Sequence, residues 1–218
     1  MIKAIIFDFD GVIAESVEVK THAFRRLFEA RYPEHLGEIL SYHKINGGIS
    51  RYAKFQYIYD HLLKRPLSES ESAQLGDLFS QYVLEGVIHS AFVTGAAEFL
   101  EKYYKKLYLF IVSGTPEEEM RLIVNRRNLS RFFKNVYGSP RSKGSLVRMI
   151  LNDHRIKQEE MVFIGDSIND YEGAQQAGVR FIGRIHPHEQ NPFAGVDSRN
   201  IVKDIREFER VLLSEGLI

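Results

Sequence analysis

The sequence predicts an α/β protein: a Rossmann-like parallel sheet with helices on both faces and an inserted all-helical cap. Three observations predict it. From Gly95 onward, short apolar runs alternate with stretches of helical spacing, the texture of strand–helix units that pair in parallel. Residues 17–88 instead show helical spacing and little strand character, directly after a first apolar run. Three of the apolar runs end in polar clusters, and in an open parallel sheet the strand ends meet in one crevice.

Each element has its own warrant. Residues 2–8 read as the first strand, and Gly11 lets the chain turn out of the sheet. Val19, Ala23, Leu27 and Ala30 line one face of a first helix, with Phe24 and Phe28 beside them and Pro33 ending it. A short helical piece covers Leu36–Tyr42, and Gly47-Gly48 breaks the pattern. Ser50 can cap a helix carrying Tyr52, Phe55, Ile58, Tyr59, Leu62 and Leu63, stopped near Pro66. The aromatics Tyr52, Phe55, Tyr57 and Tyr59 are expected mostly in the core of the cap. Ser68 with Glu71 forms a capping-box pattern ahead of a further helix. Ala96–Tyr104 is helical, 107–112 a strand, and Pro116 with three following glutamates opens another helix. Strands at Asn135–Gly138, Met161–Ile164 and Val179–Ile182 alternate with helices at Ser145–Leu151 and Tyr171–Ala177, the latter closed by Gly178. Residues 186–198 read as loop and Asp204–Ser214 as the last helix. The expected division is a core of residues 1–14 and 92–218, with a cap of residues 15–91 inserted after the first strand.

Composition bounds the function. The chain has 218 residues, 44% of them hydrophobic, enough for one large domain or a domain with an insert. Lys plus Arg equals Asp plus Glu at 29 each, so no basic field points to nucleic acid or an anionic membrane. There is no cysteine, hence no disulfide framework, thiolate nucleophile or zinc–thiolate site. No apolar run approaches the roughly 18 residues of a membrane span, and a strand follows the N-terminus without a leader pattern. A cytoplasmic protein with no nucleic-acid or membrane partner is expected.

The polar clusters are Asp8-x-Asp10, Ser113-Gly114-Thr115 and Gly165-Asp-Ser-x-Asn-Asp170. Residues two apart on a strand point the same way, so Asp8 and Asp10 can face one site. Acids at the end of a buried strand are costly without a cation. With Asp166 and Asp170 they form a hard oxygen set suited to Mg²⁺, which commonly takes one or two carboxylates together with substrate phosphate. Four ionised acids against Mg²⁺ and one lysine leave one negative charge. Protonating one acid would restore neutrality and provide the general acid that ester cleavage needs.

Asp8-Phe-Asp-Gly-Val12, Ser113-Gly114, Lys143 and Gly165-Asp-Ser-Ile-Asn-Asp170 resemble the four motifs of the haloacid dehalogenase superfamily. The helical insert is similar to its C1-capped branch, which includes phosphoglycolate phosphatases and β-phosphoglucomutases. The resemblance implies that Asp8 is a nucleophile forming an aspartyl-phosphate and that Asp10 is the acid and base. It implies that Asp8, the Asp10 carbonyl and Asp166 hold Mg²⁺, with Asp170 either a ligand or a partner fixing the metal waters. Ser113 and the Gly114 amide would bond the phosphoryl oxygens, and Lys143 would neutralise them. The family usually places proline after this lysine; Gly144 stands here, and Arg141 lies two residues earlier.

Asn46-Gly-Gly-Ile-Ser-Arg51 resembles the cap loop of β-phosphoglucomutase. Arg51 could hold a second anionic group of the substrate, or be an ordinary solvated arginine at a helix start. His22 is a further candidate for reaching the crevice from the first cap helix. The implied activity is Mg²⁺-dependent hydrolysis of a small phosphorylated metabolite, a sugar phosphate or a phosphoglycolate-like ester. A β-phosphoglucomutase-like phosphomutase and a catalytically silent binding module are the alternatives.

Overall fold

The computed structural model describes residues 1–186, 191–193, 195 and 200–218. Among them, strands β1 (Ala4–Phe7), β2 (Tyr108–Pro116), β3 (Asn135–Ser139), β4 (Met161–Gly165), β5 (Arg180–Arg184) and β6 (Ile201–Val202) form one parallel sheet in the order β3-β2-β1-β4-β5-β6. The chain moves from β1 outward to one edge, then returns and builds toward the other. The carboxyl end of β1 is therefore a topological switch point, where an open α/β sheet leaves a crevice for ligands.

Every residue of β1 is fully buried, because it is a central strand covered on both sides. Ile5 and Phe7 join Leu109, Ile111, Val162 and Ile164 on one face, packed by α5 (Ala96–Tyr103), α6 (Glu117–Arg126) and α9 (Ile205–Ser214). Ala4 and Ile6 join Phe110, Val112 and Phe163 on the other, packed by α7 (Lys143–His154) and α8 (Ile168–Ala177). The two-residue period of a strand thus divides one apolar run between two cores.

Between β1 and α5 lies the helical block: α1 (Val17–Phe28), α2 (Leu36–Ile45), α3 (Arg51–Tyr57) and α4 (Glu69–His89). Its interior is aromatic. Phe24 meets Phe79 edge-on at 5.0 Å and lies beside Phe28 and Phe55. Such pairs contribute about 0.5–1.5 kcal/mol each beyond the area they bury. The segments that enter and leave the block pair with each other, Glu15 N donating to Ala91 O at 2.9 Å and Val93 N to Ile13 O at 3.0 Å. Both crossings therefore sit together beside the site.

Several sequence expectations shift. β2 runs through the polar cluster to Pro116 instead of ending at Val112, with an irregular register against β3. The short strand β6 was not anticipated. On α1 the buried face is Thr21, Ala23, Phe24, Leu27 and Phe28, whereas Val19 is half-covered and Ala30 is exposed beyond the helix end. Tyr52 and Tyr57 are exposed, so only Phe55 and Tyr59 of the four cap aromatics are core. The helix opened by Ser50 changes after Tyr57 into a π-helical turn over Ile58–Leu62. Ser68 does cap α4, accepting from Glu71 N at 3.1 Å, but the Glu71 carboxylate takes the Tyr59 hydroxyl at 2.8 Å instead of closing the box. Most of the loop expected over 186–198 lies outside the described residues. No helix among the described residues is long and apolar enough to cross a membrane.

Candidate active site

The β1 chain ends in Asp8, and its carboxylate is built into the backbone: Phe9 N donates to Oδ1 at 2.8 Å. Lys143, the first residue of α7, places its ammonium 3.1 Å from Asp8 Oδ2 and also donates to Asp170 Oδ1. Arg141 is exposed and pairs with Glu117 at 3.0 Å, so it does not compete for this place. Asp170 is held from its other oxygen by Ser167 N at 3.1 Å and Ser167 Oγ at 2.6 Å, the capping box that opens α8. The same carboxylate therefore starts a helix and orients the lysine.

Carboxylate oxygens of Asp8, Asp166 and Asp170 lie within 4.8 Å of one another. No donor among the described residues bonds Asp166, whose neighbours are other acids and Lys143. A Cβ at Gly11 would lie 2.0 Å from Asp166 Oδ2, and Gly11 has φ of +76°. Both the turn and the room for this carboxylate thus require glycine there. Burial, followed by the surrounding acids, outweighs Lys143 and pushes Asp8 up to about 7; burial, Asp8 and Asp170 push Asp166 well above the carboxylate range. Acids so disfavoured as anions are a donor set for a hard cation.

Asp10 faces a different set of groups. Ser16 Oγ donates to its Oδ1 at 2.6 Å, and Lys20 donates to Oδ2 and, at 2.8 Å, to Thr115 Oγ1. Burial opposes the charge on Asp10, but Lys20, with Ser16, outweighs it and holds the pKa below the usual value. Burial likewise opposes the charge on Lys143, but Asp170 and Asp8 hold its pKa above the ordinary lysine value. Four acids against Lys20 and Lys143 leave two negative charges, the charge of one divalent cation. Without Lys20 the same count would need one protonated acid. Ser16 at the N-cap and Lys20 one turn on share a helix face next to the first motif, and that spacing is the signal for them.

Ser113 is buried on β2, where Thr115 N donates to its Oγ at 3.1 Å. Gly114 lies under the loop from the helical block: a Cβ on it would be 2.3 Å from Gly48 O. Asn169 Nδ2 bonds the same Gly48 carbonyl at 2.9 Å. A cavity of about 530 Å³ lies between the two parts, bounded by Asp8, Asp10, Ser113 and Asp166 below and by Arg51 and Lys54 above.

Two expectations for the block are corrected. His22 is exposed and does not line the cavity, and the histidine that does is His43 from α2. Arg51 is not the solvated arginine of a helix start: it is buried at the cavity wall. Its NH1 donates to Glu119 Oε2 at 2.9 Å and Ser80 Oγ at 2.7 Å, its NH2 to Glu119 Oε1, and its guanidinium stacks on Phe79 at 4.5 Å. It bridges the block to α6 of the sheet layer.

This chain is 24% identical over 211 residues to a phosphoglycolate phosphatase of Vibrio parahaemolyticus, covering 93% of this chain and 92% of the relative. Its fold is similar to a solved β-phosphoglucomutase from Clostridium difficile, with TM-score 0.76, 17% identity and coverage of 100% and 97%. It is also similar to the HAD-hydrolase YfnB of Bacillus subtilis, solved bound to magnesium, with TM-score 0.70, 18% identity and coverage of 97% and 99%. The family model for haloacid dehalogenase-like hydrolases matches residues 5–184, which takes in every site residue described above, and the chain belongs to that family of hydrolases.

Proposed function

We propose that this protein is a Mg²⁺-dependent phosphatase of small phosphorylated metabolites, working through an aspartyl-phosphate on Asp8. The observation that carries the reading is the gathering of Asp8, Asp166 and Asp170 within 4.8 Å, beside the Lys143 ammonium and beneath the cavity. The residues fit a divalent ion by charge and by donor type, and Asp166, without a donor among the described residues, is the carboxylate most in need of one. Bound there by Asp8, Asp166 and the Asp10 carbonyl, with Asp170 close by, Mg²⁺ would neutralise phosphoryl oxygens and lower repulsion toward the nucleophile. The magnesium of the Bacillus relative and the phosphoglycolate phosphatase name of the Vibrio relative point the same way.

The chain's own groups then divide the work. An Asp8 oxygen attacks phosphorus as the ester P–O bond breaks, and Asp10, protonated in the substrate complex against the preference that Lys20 and Ser16 give its anion, passes that proton to the departing oxygen. Asp10, now ionised and steadied by Lys20 and Ser16, takes a proton from water as the water oxygen attacks phosphorus; the acyl-phosphate P–O bond breaks and Asp8 is restored. Lys143, Ser113 and the Gly114 amide receive the phosphoryl oxygens, so charge is met by groups already in place. The helical block, residues 15–91, serves as the lid, with its paired crossings as the hinge.

The test is release of phosphate from a panel of small esters with Mg²⁺, with chelator, and with Asp8→Asn. Hydrolysis that needs Mg²⁺ and falls at least about a thousandfold in Asp8→Asn is expected. Equal rates in wild type and Asp8→Asn, or indifference to chelator, would refute the reading. Glucose 1-phosphate in the panel separates the phosphomutase, which would isomerise it, from the phosphatase, which would release its phosphate.

A further inference from the structure

A buried arginine outside the acid cluster reaches the first motif from β5. That strand pairs with β4 with Gly183 opposite Gly165, so Arg184 ends it level with Asp166. On a strand, Arg184 shares a face with Ile182, which lies in the core that holds Ile5 and Phe7. An arginine there is costly unless its donors are met. Arg184 is 2% exposed, and three segments meet them. Its NH1 donates to Gly11 O at 2.8 Å and to Glu15 Oε2 at 3.0 Å, its NH2 to Glu15 Oε1 at 2.7 Å, and its Nε to Lys203 O at 3.0 Å. The fork on Glu15 neutralises the guanidinium, so the charge count of the acid cluster stands as it was. Glu15 is itself pinned by the bond from its N to Ala91 O, which gives the guanidinium a firm mount.

What the bond to Gly11 does follows from peptide geometry. The Asp10 carbonyl, the main-chain oxygen proposed for Mg²⁺, shares a planar peptide with Gly11 N. Gly11 N donates to Ala14 O at 2.7 Å, which fixes this plane. The next plane carries Gly11 O, and Arg184 holds it. Between the two planes stands a glycine at φ +76°, the residue least resistant to rotation. Its backbone has no slack toward the cluster, since a Cβ there would be 2.0 Å from Asp166 Oδ2. Without Arg184 the buried Gly11 carbonyl loses a donor, and the rotation that finds it another swings the Asp10 carbonyl too.

We propose that Arg184 is a positioning residue for the metal site, holding the two peptides on either side of Gly11 in the arrangement that a divalent cation needs. The inference rests on the Mg²⁺ reading of the acid cluster. Arg184 acts through the backbone and meets neither ester nor ion.

Calorimetric titration of Mg²⁺ into the protein tests it without turnover. Removing a group that orients a metal ligand costs about ten- to a hundredfold in metal affinity, and Arg184→Met should weaken Mg²⁺ binding on that scale. Arg184→Lys keeps a cation against Glu15 but cannot fork to Gly11 O as well, so it should fold and bind Mg²⁺ about threefold or more weakly. If Arg184→Met proves unfolded, Arg184→Lys carries the test alone. Arg127→Met is the matching change at the other crossing, where Arg127 NH1 donates to the carbonyls of Val87, Ile88 and Ser90. It should lose stability and keep Mg²⁺ affinity within about twofold of wild type. In phosphate release, excess Mg²⁺ should return the kcat of Arg184→Lys to within about threefold of wild type, with KM for the ester unchanged. Wild-type Mg²⁺ affinity in a folded Arg184 variant, or an equal loss in Arg127→Met, would overturn the proposal. Wild type that binds Mg²⁺ in an Arg184-dependent way but hydrolyses no ester would sink the phosphatase and leave the positioning role standing. Wild type that binds no Mg²⁺ would remove both.

Discussion

Lys143 and Lys54 are buried to the same degree, each 4% exposed, the first within the acid cluster at the end of the sheet and the second on the helical wall of the cavity. On the sheet side, Lys143 sits between Asp8 and Asp170, and their charges raise its pKa against burial. On the helical side, Lys54 meets only His43, and burial brings it down to about 7. The sheet side holds more acid than base and the helical side holds a cation without an acid. The lesson is that burial alone does not set the charge balance: the sheet side has negative charge left over, which suits a divalent cation, while the helical side leaves a lysine to a neutral histidine.

Breaking each lysine is the sharpest way to test that contrast. Lys143→Met should be the most damaging, lowering stability by about 3–5 kcal/mol in urea denaturation because two buried acids lose their cation. Next comes Arg51→Ala, which leaves the largely buried Glu119 with only the Ser80 hydroxyl and should cost about 3 kcal/mol. Its KM should rise alike across small esters, since the bridge holds the block to the sheet layer; a change of preference between esters in this variant would show Arg51 reading the substrate directly. Lys54→Met should stay within about 1 kcal/mol of wild type, since an apolar chain of similar size replaces a poorly matched cation. A loss as large as that of Lys143→Met would erase the distinction between the walls.

A further effect shows only on acidification and concerns His43. Its folded pKa, about 2, lies below its unfolded value of about 6.5, so the folded state binds fewer protons in between. The contribution is whole above pH ~6.5 and is lost as pH falls below that, at up to about 1.4 kcal/mol per pH unit. His43→Phe should flatten the stability–pH slope between pH ~6 and ~4, measured by urea denaturation; an unaltered slope would show that His43 takes up a proton without penalty.

The sheet and its acid clusters were legible in the sequence because their information is local. Asp8 and Asp10 directly follow β1, and Asp166 to Asp170 spans a strand end and one helical turn. The cap-side chemistry was not legible for the opposite reason. Glu119, the partner of Arg51, lies 68 residues away, and no local pattern announces it. Lys54 and His43 meet only because α2 and α3 fold against α1, so His43, on an apolar helix, read as nothing in particular. Lys20 was within reach, since a lysine one turn after Ser16 lies over the first motif. Tyr52 and Tyr57 misled because aromatic content indicates a core without saying which side of a short helix enters it.

The most direct test of the acid cluster is thermal denaturation with MgCl₂ and beryllium fluoride, whose tetrahedral beryllium trifluoride adduct on a carboxylate resembles an aspartyl-phosphate. The account predicts a rise in Tm for wild type when both are present, a smaller rise with Mg²⁺ alone, and loss of the added rise in Asp8→Asn. Equal shifts for wild type and Asp8→Asn, or no response to Mg²⁺ at all, would contradict it.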